Sequence, residues 1–364
     1  MKKLNRKMTV IALLLTMVLA LAGCGGGSGS GDAGGGSAAE ANAGVRNITF
    51  VAPDGWNVNG AMEESFISFK NPETGSVLSV NAQTQEDLDE IKEYNEKVTA
   101  ANLQEHFDSF GKETDQELKD KHLERENTTV LGADAIDYKA VKDDGGIIER
   151  TEEFLLDDAI YYMSMYSEDS YNDEGNYNMD AKAFTDSELA AYDAVITSLQ
   201  KGDGSALLKN YLKADSLGSI AFEIPAGYRV SYISENYIDL KKDGSDNIGL
   251  SINMTREEDL KYYTDENGNV PESLEAHFKS STEFADEEDK ITIAGFDGCL
   301  WKYPDEDGKM YSCSAEFLGD DAIYDVYLGS NAWDNEGNLK PDAEALTDED
   351  IAAFDNFVAT LKTK

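Results

Sequence analysis

Ile48-Thr49-Phe50-Val51-Ala52-Pro53-Asp54-Gly55-Trp56-Asn57-Val58 returns 172 residues later as Ile220-Ala221-Phe222-Glu223-Ile224-Pro225-Ala226-Gly227-Tyr228-Arg229-Val230. The echo continues downstream. Phe66-Ile67-Ser68-Phe69-Lys70 matches Tyr237-Ile238-Asp239-Leu240-Lys241, and Leu78-Ser79-Val80-Asn81 matches Leu250-Ser251-Ile252-Asn253. His106-Phe107 matches His277-Phe278, and the run from Phe154 to Tyr161 matches that from Phe317 to Tyr324. Length changes fall between the periodic segments, as insertions in surface loops do. A solenoid needs three or more short units, so this pattern reads as two tandem copies of one domain. The first spans 45–201 and the second 217–364. Residues 202–216, where the composition turns to Gly, Ser, Asp and Lys, read as a linker.

Each copy opens on an apolar run into a Pro-x-Gly-aromatic corner. Two alternating strands follow, at Ser65–Lys70 and Ser76–Gln83 in the first copy. A polar loop then leads to a helix near Ala100–Gly111, or Pro271–Thr282 in the second copy. Three further strands come next, the last two joined across Asp157-Asp158 or Asp320-Asp321. A terminal helix carries Leu189, Tyr192, Val195, Ile196 and Leu199 at 3–4 spacing, echoed by Ile351, Phe354, Phe357, Val358 and Leu361. Thr185 with Glu188, and Thr347 with Asp350, form capping-box patterns at its start. Short connections imply an antiparallel sheet flanked by helices, an α+β fold repeated twice. The Phe50-x-x-Pro53-x-Gly55-Trp56 opening and the element order resemble the Mog1/PsbP-like α/β/α family, including small bacterial lipoproteins of the DcrB type. Tyr228 departs from the Trp. The resemblance implies a fold and an interaction role, with no catalytic set to transfer.

The N-terminus supplies an address. Met1–Lys7 is cationic, the following stretch TVIALLLTMVLALAG is apolar and short for a membrane span, and it ends in Leu21-Ala22-Gly23-Cys24. This looks like a bacterial lipobox, which makes 1–23 a signal peptide and Cys24 the site of lipidation. Residues 24–44 are Gly/Ser-rich and read as a flexible tether, with a reach near 25 Å for about 20 residues. Such spacers resemble those of Gram-positive lipoproteins. The expected location is the extracytoplasmic face of the cell membrane, held by the lipid anchor.

The chain carries 31 Lys+Arg against 72 Asp+Glu, a formal net charge of −41. Losing Lys2, Lys3, Arg6 and Lys7 with the signal peptide takes the mature protein to −45. A polyanion of that size is repelled by nucleic acid and anionic headgroups, so no nucleic-acid partner is expected. Hydrophobic content of 41% suffices for real cores. Apart from Cys24 the cysteines are Cys299 and Cys313. The turn signal Asp305-Glu306-Asp307-Gly308 lies midway between them, so a hairpin would bring them opposite one another, and an exported protein could join them as a disulfide.

The histidines are His106, His122 and His277. His106 and His277 hold the same helix position in separate copies, so they form no ligand pair. No serine elbow, zinc helix or Cys/His couple occurs, so no cofactor, metal or catalytic residue is assigned. Acidic loops at 172–176, 265–269 and 334–338 are rich in oxygen donors but lack the twelve-residue calcium spacing, and turns require the same residues. The strand Ala159–Tyr166 turns Ala159, Tyr161, Met163 and Met165 one way and Tyr162 and Tyr166 the other. Tyr162, Tyr166, Tyr327 and Trp333 are therefore the candidate binding surface, a platform for a protein or an envelope polymer. The expectation is a non-enzymatic binding or interaction module; the alternative is a metal-assisted or carboxylate-dependent envelope hydrolase.

Overall fold

The computed structural model describes residues 42–364 except 96–97, 173–175, 246, 265–268, 284, 288, 303, 306, 331–339 and 341–342, and omits the side chains of 93, 94 and 168. The chain divides into two compact units, the first ending at Tyr211 and the second running Leu212–Lys364. The fold is mixed α+β, built on antiparallel sheet. No helix among the described residues is long and apolar enough to cross a membrane.

The first unit contains strands β1 (Asn42–Val45), β2 (Ile48–Val51), β3 (Asn57–Met62), β4 (Phe66–Lys70), β5 (Val77–Thr84), β6 (Leu123–Val130), β7 (Ala133–Val141), β8 (Ile147–Leu156), β9 (Ala159–Tyr166) and β10 (Gln200–Lys201). Its helices are α1 (Gln85–Tyr94), α2 (Leu103–Phe110), α3 (Asp115–Asp120), α4 (Asp186–Ser198) and α5 (Gly204–Leu208). Seven strands pair in the order β3-β4-β5-β9-β8-β7-β6. Alternation along β9 sends Tyr161, Met163 and Met165 to the inner face, toward α4, whose Tyr192 donates its hydroxyl hydrogen to the Met163 carbonyl at 2.7 Å. The outer face is closed by α1 and α2 through Leu88, Leu103, Phe107, Ile136 and Ile160, all buried. Helix–sheet–helix layering follows from a sheet that is apolar on both sides.

The second unit repeats this plan. Its strands are β11 (Ser216–Leu217), β12 (Ile220–Ala221), β13 (Tyr228–Ser234), β14 (Tyr237–Lys242), β15 (Ile248–Thr255), β16 (Lys290–Ile293), β17 (Phe296–Trp301), β18 (Ser312–Leu318), β19 (Ile323–Ser330) and β20 (Lys362–Thr363). Helices α6 (Leu274–Ser281) and α7 (Asp348–Thr360) complete it. The order β16-β17-β18-β19-β15-β14-β13 is the first unit's order with equivalent strands. Tyr324, Val326, Leu328, Phe317, Phe354 and Phe357 form the inner core. The outer layer differs: α6 buries no residue.

Local chemistry explains the shared framework. At both corners the aromatic amide donates to the proline carbonyl, Trp56 to Pro53 at 3.3 Å and Tyr228 to Pro225 at 3.1 Å. Gly55 and Gly227 sit between them at φ +77 and +80, the left-handed third position of a type II turn. Both corner strands also bulge at the same place, between Val58 and Gly60 and between Val230 and Tyr232. The terminal helices carry the expected capping boxes at Thr185/Glu188 and Thr347/Asp350.

Several boundaries move relative to the sequence reading. Asn42, Ala43 and Gly44, the end of the stretch read as tether, belong to β1, which pairs with β2. Part of 202–216, read as linker, is α5. A side chain at Gly204 would lie 2.1 Å from the Ile48 carbonyl oxygen, and one at Gly44 would lie 2.5 Å from Gly204. Only glycines allow this packing. The polar stretch after β5 is α1, capped by Thr84 and Asp87, and α3 is capped by Thr114 and Glu117. Four strands rather than three follow α2, the additional one being the edge strand β6.

Candidate functional site

In the first unit the middle of the outer face is a line of hydroxyls. Ser68, Ser79, Ser164, Thr151 and Tyr138 occupy successive cross-strand positions ending at Arg125. Ser68 and Ser79 are buried, and the Thr151 hydroxyl bonds Ser164 at 3.0 Å. One side of this line is built by α2. Phe110 packs on Tyr162 with centroids 6.0 Å apart, and its carbonyl accepts from the Tyr138 hydroxyl. Tyr162 in turn donates to Gln83 Oε1 at 2.5 Å. On the other side Tyr171 stacks on Tyr177 at 5.3 Å and donates to the Glu149 carboxylate.

Two acids on β8 share this face. Burial pushes Glu149 up to about 7 although Tyr171 and Thr151 donate to it. Burial, reinforced by Glu113 and Glu149, pushes Glu153 up to about 8. One oxygen of Glu153 and Nη1 of Arg125 are buried without a hydrogen-bond partner. The same surroundings raise the hydroxyls of Tyr162, Tyr171 and Tyr177, burial leading in each case. Both carboxyls are thus shifted toward the neutral form beside the hydroxyl line, which suits a neutral, hydroxyl-rich or amide partner better than a charged one.

The second unit puts different groups on the same positions: Asp239, Ser251, Tyr327, Ser314 and Trp301. Tyr327 is 39% exposed and lies across Gly329, where a β-carbon would come within 2.4 Å of its ring. Gly249 is paired with Gly329. Glu316, the counterpart of Glu153, accepts from Ser281 and is pushed up to about 7 by burial. Asp239 is likewise raised by burial, with Ser231 donating to it at 2.6 Å.

Of the residues expected on a platform, Tyr162 is half-buried under α2 and Tyr166 is 6% exposed, so neither presents an open ring. Tyr327 does. Trp333 and Cys24 lie outside the described residues, as do 173–175, 265–268 and 334–338 of the acidic loops. No group of three or more His, Cys, Asp or Glu among the described residues is placed to hold a metal. His106 packs on Phe110 at 4.8 Å and His277 on Tyr263 at 4.6 Å, each lowered by burial. The residues that sequence reading missed are Ser68, Ser79, Gln83, Arg125, Tyr138, Glu149, Thr151 and Glu153. The alternation of Glu149, Thr151 and Glu153 in Ile147–Leu156 was the available signal.

The expected Cys299–Cys313 disulfide is corrected by the register. Cys299 stands opposite Glu316 and Cys313 opposite Leu328. The two are three residues out of register on β17 and β18, which puts their side chains on opposite faces. Cys313 points into the inner core and Cys299 to the outer face, and both are buried free thiols. Burial raises both, Cys313 to about 11.

A shallow hollow of about 570 Å³ in the first unit is lined by Arg46, Asn47, Asp157, Asp158, Lys201 and Asp203 among others. Asp158 accepts there from Arg46 at 2.6 Å and Asn47 at 3.0 Å. Its counterpart Asp321 accepts from the Ser219 amide at 3.1 Å and hydroxyl at 2.6 Å. The shared aspartate ties the opening turn to the β8–β9 or β18–β19 hairpin, a structural task.

No family model matches the chain, and no curated protein matches it. Among solved structures, one from Bacteroides thetaiotaomicron is similar over 42% of this chain and 47% of its own length, at 10% identity and a TM-score of 0.24. The chain spans about half of that protein. The Tle4-Tli4 complex is similar over 86% of this chain and 99% of the other, at 11% identity and a TM-score of 0.26.

Proposed function

We propose that the chain is an extracytoplasmic lipoprotein, anchored in the cell membrane through Cys24, that presents two Mog1/PsbP-like domains of the DcrB type as a non-enzymatic binding module. The N-terminal pattern from Met1 to Cys24 supports the anchor. The outer face around Tyr327 supports the binding role, and it is the observation that carries this reading. A partly exposed tyrosine whose ring lies against Gly329, with Ser251 and Ser314 as its cross-strand neighbours and Trp301 next in the row, offers an aromatic surface with polar flanks. Its partner is an envelope polymer or a protein.

The anchor is tested by metabolic labelling with a palmitate analogue, which should mark the wild type and leave Cys24→Ala unlabelled. The surface is tested by pull-down from envelope fractions with residues 42–364. Tyr327→Ser should lose a component that the wild type retains while keeping a folded amide spectrum. Equal recovery by both proteins would remove Tyr327 from the interface.

A further inference from the structure

The inner face of the first unit holds a charged cluster that the binding surface does not use. Asp137 on β7 is 4% exposed and Glu152 on β8 is 3% exposed, and the two are directly paired across the strands. Asp137 accepts from Arg150 Nε and Nη2, each at 3.1 Å, and is paired with Lys139 at 3.0 Å. The third guanidinium nitrogen reaches α4, where Asp193 accepts from Nη1 at 2.7 Å, and the guanidinium lies 4.7 Å over the Tyr192 ring. Glu126 on β6, exposed, completes the row beside Asp137. These are the charged and titratable groups facing Glu152: Glu126, Asp137, Lys139, Arg150, Tyr192 and Asp193.

Charge balance singles out Glu152. Lys139 and Arg150 are neutralised by their ion-pair partners Asp137 and Asp193, so no cation of the cluster is left over for Glu152, and the exposed Glu126 adds none. An ionised Glu152 is a surplus anion beside Asp137, and its Oε1 is buried with no hydrogen-bond partner to stabilise it. The second unit shows that the fold does not need the cluster. With Phe154 and Phe317 as common anchors, Asp137, Arg150, Glu152 and Tyr192 correspond to Leu300, Cys313, Ala315 and Phe354. Four positions change together from charged or polar to apolar.

We infer that the seat of α4 on the first unit is a proton-dependent clasp, closed when Glu152 is protonated and loosened when Glu152 ionises and competes with Asp193 for Arg150. Burial, with Asp137 next, pushes the Glu152 carboxyl up to about 7, which places the transition near neutrality. The sign follows from that direction. A carboxyl raised in the folded state contributes stability that is complete below its ordinary range near 4.5 and lost as pH rises through about 7. The α7 helix of the second unit lacks the cluster and keeps its seat.

Native-state hydrogen exchange on the full chain tests this at about pH 5.5 and about pH 8.5, corrected for intrinsic exchange. Peptides from Asp186–Ser198 should lose protection at the higher pH by roughly ten-fold or more beyond whatever those from Asp348–Thr360 lose. Glu152→Gln, fixed in the neutral state, should remove most of that loss, and so should Glu152→Ala, which installs the second unit's residue. Equal α4 protection at both pH values in the wild type would overturn the clasp. So would a pH response retained in both variants, since Glu149 and Glu153 would then be its source.

Discussion

The two units share a sheet and differ in what covers it. Their inner faces stack the same aromatic pair, Phe154 on Tyr161 and Phe317 on Tyr324, both at 5.2 Å and nearly parallel. The outer faces diverge: α2 buries Leu103 and Phe107, whereas α6 buries nothing. The sheet and its corner turns thus carry the fold, and the copies have become different in the outer layer and in the inner-face cluster around Asp137, Arg150 and Glu152. That division predicts which substitutions behave alike in both units and which do not.

Phe154→Ala and Phe317→Ala should have the largest effects and nearly the same one, about 3–5 kcal/mol each, because both rings are fully buried. Urea unfolding of the two variants checks this. A difference much beyond about 2 kcal/mol would mean that the inner cores are not equivalent after all. On the outer face equality should fail. Phe107→Ala should cost about 2–4 kcal/mol, while Phe278→Ala, on a helix without buried residues, should cost under about 1 kcal/mol. Comparable losses would show that α6 is held as firmly as α2.

The acid groups sharpen the comparison along the pH axis. Burial raises Glu149, Glu152 and Glu153 on one strand of the first unit. Raised carboxyls make stability greatest at low pH and erode it between about 4.5 and about 8. In the second unit Glu316 and Asp239 pull the same way. The first unit should therefore lose more, on the order of 2 kcal/mol, between about pH 5 and about pH 8. Unfolding followed by exchange in β8 and β18 measures the two responses separately, and a larger loss in β18 would reverse the assignment.

What sequence could and could not carry follows from the same physics. The duplication, corner turns, capping boxes and inner face of β9 were legible because each depends on residue types at fixed short spacing. Helix α1 was not, since Gln85–Tyr94 is too polar to show an apolar stripe, though Thr84 and Asp87 signalled its start. The cysteine pairing failed because the loop after Trp301 is not centred on the Asp305–Gly308 turn; Trp301 pairs with Ser314, and the register is set there. The outer-face site was half-legible: its tyrosines stood out, but their burial depended on α2, whose seat no local pattern encodes.

The smallest expected effects test the one feature that both units solve differently for the same purpose. Thr185 and Thr347 each accept from the amide three residues on, and Glu188 and Asp350 each bond back to the threonine amide. Behind that reciprocal pair, Glu188 accepts from the hydroxyls of Thr74 and Ser76, both at 2.5 Å, whereas Asp350 accepts from Lys242 at 2.6 Å. Thr185→Ala and Thr347→Ala should each cost about 1 kcal/mol, the usual loss of a cap. Salt separates them. Hydroxyl donors to Glu188 are indifferent to ionic strength, but the Lys242–Asp350 pair is partly open to solvent on the lysine side and is partly screened. Removing the second-unit cap should therefore hurt slightly more at high salt than at low, by a few tenths of a kcal/mol, because the ion pair that backs up the cap is then weaker. The first-unit variant should show no such trend. A matching salt dependence in Thr185→Ala, read from paired unfolding curves, would show that the helix dipole and not the backing residue sets the response.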